Sequence, residues 1–426
     1  MKIGILLTKK QQEKKKDEVI NINSNNRKWL KNADKSLTIC CGSKTIIPLD
    51  AAVGVYLENT YKDIEIDYIL PQDITSERLK KNDLNFMLIY DLLESYHTQS
   101  KQLFNKLSNI LKNANNIYPP YEYQKYINNK CLYYEDLDKK KLPVVPTICR
   151  YDTNVDKLLK DINDQKWESA IAKPVYGQES KLFKKFKNLN PKLMKKHMEV
   201  IKNKHGLPGT IFQEYIKGFD KANIESRTYF IGDKYQYLIY TNSDNVWQAK
   251  EEGGTKSYDG YKRDINLAKK VFKKLPKMVV NNVSLPRLLT RIDIGCCLEG
   301  KQPAFVNEVE FVPSLYVEYK LPIFPEVELG KQIVKITKIY LKSKSKSNSK
   351  SKSKSKSKSK SKSKSKSKSK SKSKSKSKSK SKLKPKKRGP KRTRKKKTKV
   401  GLNSKKCSKK KCSKKKSSRK KSSKRN

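Results

Sequence analysis

An α/β body followed by a polycationic tail is the architecture this chain predicts, and three observations predict it. Short apolar runs alternate with polar or amphipathic stretches from Ile3 onward, the pattern of strands and helices taken in turn. All 41 acidic residues precede Lys342, whereas 44 of the 101 Lys and Arg residues follow from Lys342 on, so the body carries +16 and the tail +44. Near the end of the body lie two acidic clusters in β-branched surroundings, Arg291-Ile292-Asp293 and Asn307-Glu308-Val309-Glu310. A strand places alternate side chains on one face, so Glu308 and Glu310 point the same way.

The elements follow in order. MKIGILLTKK has an apolar run from Ile3 to Leu7 that reads as a first buried strand. It is too short for a membrane span and lacks a small-residue cleavage site, so neither secretion nor insertion is expected. A polar, Lys-rich segment (10 to 36) gives way to LTIC, TIIPLDAAVGVYL and EIDYIL. DLNFMLIYDLLESYH then reads as a strand running into a helix. Lys101 to Ala114 reads as an amphipathic helix with Leu103, Phe104, Leu107, Ile110 and Leu111 on one stripe. Alternation of this kind implies a mostly parallel sheet in an N-terminal α/β subdomain over 1–114. Residues 115–341 form the next region. It opens on a Pro-punctuated connector with a helix near its centre.

From Lys342 the chain is a near-perfect Lys-Ser repeat to about Lys382, broken by Asn348, and then PKKRGPKR, RTRKKK and a Cys-Ser-Lys-rich end. Its like charges repel and it has almost nothing apolar to bury, so residues 342–426 are expected to be disordered. Such a polyelectrolyte binds RNA, DNA or another polyanion without sequence preference, by counterion release. The basic clusters also match nuclear-import signals, and each phosphate added to a serine would cancel roughly 1.5 to 2 charges. The eight cysteines, among them the pairs Cys40-Cys41 and Cys296-Cys297, show no zinc spacing. They read as thiols of an intracellular, reducing compartment, cytoplasm or nucleus.

Several polar positions recur at strand ends. SAIAKPVYGQES places Lys173 at the end of a strand, before the loop Gly177-Gln178-Glu179-Ser180. Lysine is a point charge suited to phosphate oxygens, and glycine permits close backbone approach. GTIFQEYIKGFDKANIESRTYFIGDKYQYLIYT reads as a strand, a connector and a hairpin turning at Gly232-Asp233. VWQAKEEGGTKSYDG is a polar loop with Gly253-Gly254 flanked by Lys250 and Lys256. Three carboxylates on neighbouring strands, Asp293, Glu308 and Glu310, make a hard-oxygen site suited to Mg²⁺. Taken singly, each motif also fits a solvated strand end or hairpin face. Their order along the chain discriminates.

That order resembles the ATP-grasp superfamily, in particular glutathione synthetase-like carboxylate-amine ligases. The resemblance covers roughly 115 to 320 and implies an N-terminal α/β subdomain, a small α+β lid and a C-terminal mixed-sheet subdomain. It implies ATP and Mg²⁺ as cofactors, with Mn²⁺ as a substitute. Lys130 and Lys173 would meet the nucleotide phosphates, with Gly177 and Gln178 in the covering loop. Gln213, Glu214, Tyr215 and Ile216 would form the hinge against adenine, and Glu225 would lie near the ribose. Arg227 would meet the terminal or acyl phosphate, Arg291 the developing oxyanion, and Asp293, Glu308 and Glu310 the metal ions. The chain departs from the family in having a single loop glycine, and Glu310 where the family has Asn.

Three functions follow as expectations. The first is an ATP-dependent ligase that forms an acyl phosphate and passes it to an amine of a small molecule or peptide. The second is a kinase of the same fold, similar to inositol polyphosphate kinases. The third is a degenerate body in a nucleic-acid-binding protein driven by the tail. Arg291 keeps an alternative role, a salt bridge to the neighbouring acids.

Overall fold

A computed structural model describes residues 1–7, 19–41, 43–88, 101–177, 182–216, 224–241, 246–248, 261–296, 304–317 and 321–363. Strand β1 (Lys2–Leu6) is the apolar run expected at the start. A small antiparallel sheet follows, formed by β2 (Val19–Asn21), β3 (Ile39–Cys41) and β4 (Lys44–Pro48) in the order β2-β4-β3. The run TIIPLDAAVGVYL divides at Pro48. Its second half is helix α1 (Leu49–Thr60), with Pro48 as the non-helical residue before it.

Next come β5 (Glu65–Ile69), the short helix α2 (Ser76–Lys80), β6 (Leu84–Met87), helix α3 (Lys101–Asn113) and β7 (Ile117–Tyr118). The four longer-range partners form a parallel sheet, β5-β1-β6-β7, as alternation predicts. On α3 the expected stripe holds at Leu107 and Leu111, which are buried, and at Phe104 and Ile110, which are packed against the core. Leu103, at the rim of that stripe in the first turn, is 46% exposed instead.

The connector folds as helices α4 (Tyr121–Asn128) and α5 (Lys130–Lys139). Asn129 separates them, and its side chain accepts the Cys131 N–H at 3.1 Å, an N-cap that starts α5 at Lys130. The lid comprises β8 (Thr147–Arg150), α6 (Val155–Asp164), β9 (Ala170–Pro174), β10 (Lys184–Phe186), α7 (Pro191–Glu199) and β11 (Thr210–Glu214). Its antiparallel sheet runs β10-β9-β11-β8. Leu158, Ile162, Trp167, Phe186, Met194 and Phe212 belong to a core of its own, apart from the main one.

The C-terminal sheet begins with β12 (Ile224–Ile231) and β13 (Lys234–Thr241), joined by the expected turn. Gly232 there has φ +65°, a left-handed conformation that calls for glycine. Then come β14 (Val246–Gln248), α8 (Tyr261–Lys274), the hairpin β15 (Met278–Val280) and β16 (Val283–Leu285), β17 (Leu289–Cys296) and β18 (Phe305–Glu310). The five-stranded order is β14-β13-β12-β17-β18, with every pair antiparallel. One parallel bridge, Val144 to Val306, joins the edge strand to the connector.

The body ends in α9 (Pro325–Ser363). Leu329, Ile333, Ile336 and Tyr340 are buried at the three- and four-residue spacing of one helix face. This helix continues past Lys342, where the sequence leads one to expect no fold. Its nucleation is already met by the packed turns, and Lys extends a helix readily.

A second departure concerns cysteine. Cys131 at the start of α5 and Cys149 on β8 form a disulfide, with Cα atoms 6.1 Å apart. Packing of α5 on β8 brings together two residues whose spacing in sequence gives no sign of a pair. The expectation that all eight cysteines are thiols therefore fails for these two. Among the described residues no helix is long and apolar enough to cross a membrane.

Candidate functional site

The site is built on three strands whose register brings charged residues side by side. Arg227 on β12 lies opposite Asp293 on β17, and Asp293 lies opposite Glu308 on β18. Arg291 lies opposite Glu310. A β-bulge falls between Asp293 and Ile294, whose partner is Val306, so Asn307 is the extra residue.

Asp293, Glu308 and Glu310 each offer a carboxylate oxygen, and these oxygens lie within 4.8 Å of one another, the metal-capable group found among the described residues. Arg291 is buried and binds Asp293 bidentately, Nε to Oδ1 and Nη2 to Oδ2, each at 2.8 Å. Its Nη2 also lies 2.9 Å from Glu310 Oε1. The salt-bridge role left open for Arg291 is therefore the one it fills here. Lys130 Nζ donates to Glu308 Oε1 across 178 residues of sequence.

Electrostatics separates the three acids. Burial raises the Asp293 carboxyl to about 8, with Arg291 only partly opposing it. Burial also raises Glu310, again against Arg291 and helped by the neighbouring charge of Glu308. At Glu308, burial is outweighed by Lys130 and Lys173, which hold the carboxyl at about 2. Desolvation works against the charge of Arg291, yet Asp293 and Glu310 raise its pKa well above the ordinary value. Two of the three carboxyls, Asp293 and Glu310, thus resist ionisation even with Arg291 beside them, and further positive charge would favour their ionised forms. An oxygen-ligated divalent cation supplies such charge, so the donor set fits Mg²⁺.

The lysines arrive from different elements. The Lys130 N–H donates to the Val175 carbonyl at 3.1 Å, which ties the start of α5 to the end of β9, where Lys173 sits. Lys173 Nζ lies 5.5 Å from the centroid of the Tyr134 ring, and the Tyr134 hydroxyl donates to the Asn307 carbonyl. Tyr134 thus connects α5 to the metal-capable strand.

Other expected residues divide. In the hinge, Gln213 is buried and donates to Thr147 Oγ1 at 3.0 Å, while the N–H groups of Glu214 and Tyr215 bind the carbonyls of Pro146 and Ser169. Lys185 Nζ lies 3.3 Å from the Tyr215 ring centroid, and Ile216 ends the described stretch. Gly177 shows no positive φ, and a Cβ there would meet Pro174 at 3.3 Å. Gln178, Lys250, Gly253, Gly254 and Lys256 lie outside the described residues.

Glu225, expected near the ribose, is held in this structure by two side chains of the site. Its Oε1 accepts from Arg227 Nε at 2.8 Å and its Oε2 from Asn307 Nδ2 at 2.5 Å, because alternation on β12 and the bulge on β18 turn all three inward. Glu225 thus belongs to the charged floor beside Asp293. Asn307, Tyr134 and Tyr316, whose hydroxyl accepts from Arg227 Nη1, are site residues that sequence reasoning leaves out. For Asn307 a signal existed: two adjacent polar residues break the alternation of an otherwise regular strand.

No protein-family model and no curated protein matches the sequence. Solved structures do match. The crystal structure of the D-cycloserine synthetase DcsG is 12% identical with a TM-score of 0.53, and the match covers 79% of this chain and all of that one. A D-alanine–D-alanine ligase from Bacillus anthracis complexed with ATP is 14% identical, over 80% of this chain and 99% of its own, at a TM-score of 0.48. The ATP-grasp ligase PsnB, complexed with minimal precursor, Mg and ADP, is 12% identical over 79% and 98%, at 0.46. With a parallel N-terminal sheet, a lid with its own core, and a five-stranded sheet bearing the acids, the chain adopts the ATP-grasp fold.

Proposed function

We propose that the chain is an ATP- and Mg²⁺-dependent carboxylate-amine ligase that activates its acid as an acyl phosphate. One observation carries the reading: Asp293, Glu308 and Glu310 converge with Arg291, and Lys130 reaches the same cluster from a separate helix. The fold neighbour DcsG, a synthetase, supports the same class.

In this reading Asp293, Glu308 and Glu310 hold the metal, and Mg²⁺ bound there offsets charge on the phosphoryl oxygens. Lys130 and Lys173 turn toward the nucleotide phosphates, and Lys130 exchanges Glu308 for them. Arg227, a planar donor fixed by Glu225, suits the oxygens of a transferring group, and Arg291 lies beside the metal acids where an oxyanion develops. The hinge presents the carbonyls of Glu214 and Tyr215, whose N–H groups are spent, and Ile216. Positioning and charge supply most of the rate, as in phosphoryl transfer generally. The acid and the amine acceptor are small molecules or peptides. Residues 342–426 add a polyanion-binding arm, a reading motivated by its 44 basic residues and the absence of any acidic one. Affinity of the full chain for duplex DNA should fall steeply between about 50 and 200 mM salt, and a flat salt response would remove the arm from the account.

Release of ADP tests the enzymatic reading. With Mg-ATP, pooled carboxylates and pooled amines, ADP and phosphate are expected together only when both pools are present. ADP without phosphate, with label carried to an inositol phosphate, would replace the ligase by a kinase.

A further inference from the structure

Two buried tyrosines lie on β12, a strand of the site, and on its neighbour β13. Tyr229 on β12 and Tyr237 on β13 face each other in register, with rings stacked at 4.4 Å and 16°. Both are buried, and a buried hydroxyl needs a partner. Both find one in the segment after β18. Tyr229 donates to the Ser314 carbonyl at 2.8 Å and Tyr237 to the Leu315 carbonyl at 3.0 Å.

Two consecutive carbonyls are thus pinned immediately before Tyr316. That residue has φ +53°, a left-handed conformation that L side chains seldom adopt unless their surroundings hold it. The result is a buried ring directed at Arg227. The guanidinium carbon lies 5.7 Å from the ring centroid, and Nη1 donates to the hydroxyl. On its other side Arg227 Nε is held by Glu225, which is held in turn by Asn307. Arginine otherwise loses much rotamer freedom when it orders on a ligand.

We propose that Tyr316 is a positioning residue for Arg227, locked in place by the Tyr229–Tyr237 pair, so that the guanidinium is already ordered before the nucleotide arrives. The inference rests on the proposed nucleotide reading, in which Arg227 meets the terminal phosphate. It concerns the γ-phosphate alone, since ADP lacks the group that Arg227 would touch. Neither the strand register nor the metal acids require a tyrosine at 316.

The test is calorimetric titration of the full chain with Mg-AMPPNP and with Mg-ADP. Tyr316→Phe keeps the ring and removes the hydroxyl. It is expected to weaken AMPPNP binding by about tenfold, the upper end of the cost of ordering one free arginine side chain on binding, and to leave ADP binding unchanged. Tyr229→Phe, which frees the Ser314 carbonyl, is expected to give the same selective loss in smaller measure. In an Arg227→Lys background Tyr316→Phe should add little, because the partner it orders is gone. Equal weakening of both nucleotides would mean a merely structural tyrosine, and no change in either would remove the role outright. A wild-type chain that binds neither nucleotide overturns the nucleotide reading and this inference with it. A wild-type chain that prefers AMPPNP, beside a Tyr316→Phe variant that keeps the preference, overturns this inference alone.

Discussion

Glu308→Gln is expected to lower Mg-dependent ATP turnover by at least about a hundredfold, the scale on which losing charge stabilisation at a transferring group is felt. The same change also acts on the fold. Glu308 is the partner of Lys130, and their side chains are 23% and 10% exposed. Removing one member of a buried pair leaves the other charge desolvated, at a cost of about 3 kcal/mol, the low end of the usual range because Glu308 retains some exposure. Turnover could therefore fall for either reason, and the Lys130→Met/Glu308→Gln double variant separates them. It should recover much of the lost stability in chemical unfolding while turnover stays low. Recovery of turnover together with stability would show that the pair is structural.

Arg291→Met should have the largest effect on stability. The guanidinium lies between Asp293 and Glu310, and it is 7% exposed while Asp293 is 2% exposed. Without it two buried carboxylates face each other uncompensated, and unfolding free energy should fall by about 3 to 5 kcal/mol. Millimolar Mg²⁺ should restore part of that loss in the variant and change the wild type less, since a cation bound only to the native state stabilises it by mass action. A variant as stable as the wild type would mean that Arg291 does not balance these acids. Glu310, where the family resemblance leads one to expect Asn, is the residue that gives Arg291 its second carboxylate.

Parts of this site are legible in the chain because strand geometry is simple. Alternation alone places Glu308 with Glu310, and Arg291 with Asp293, on common faces. Gly232-Asp233 announces its hairpin, and the run from Ile3 to Leu7 announces the first buried strand. The order of motifs points to the lid and to the acid-bearing sheet.

What stays hidden depends on long-range packing. Nothing near Lys130 indicates that it will meet Glu308, because that contact is set by the tie from Lys130 to Val175 and by Tyr134 reaching Asn307. The bulge at Asn307 brings its amide to Glu225, a contact that no local pattern encodes. Cys131 and Cys149 pair because a helix start packs on a strand, which no cysteine spacing encodes. The continuation of α9 into the Lys-Ser segment depends on an apolar face that ends before the repeat begins.

Titration of ATP into the wild-type chain and into Glu308→Gln, each with Mg²⁺ and with a chelator, tests the central claim most directly. Binding is expected for the wild type with Mg²⁺, with loss of most of that affinity in the chelator and in the variant. Equal binding with and without Mg²⁺, or a Glu308→Gln chain that binds Mg-ATP as the wild type does, would contradict the assignment of Asp293, Glu308 and Glu310 as the metal site.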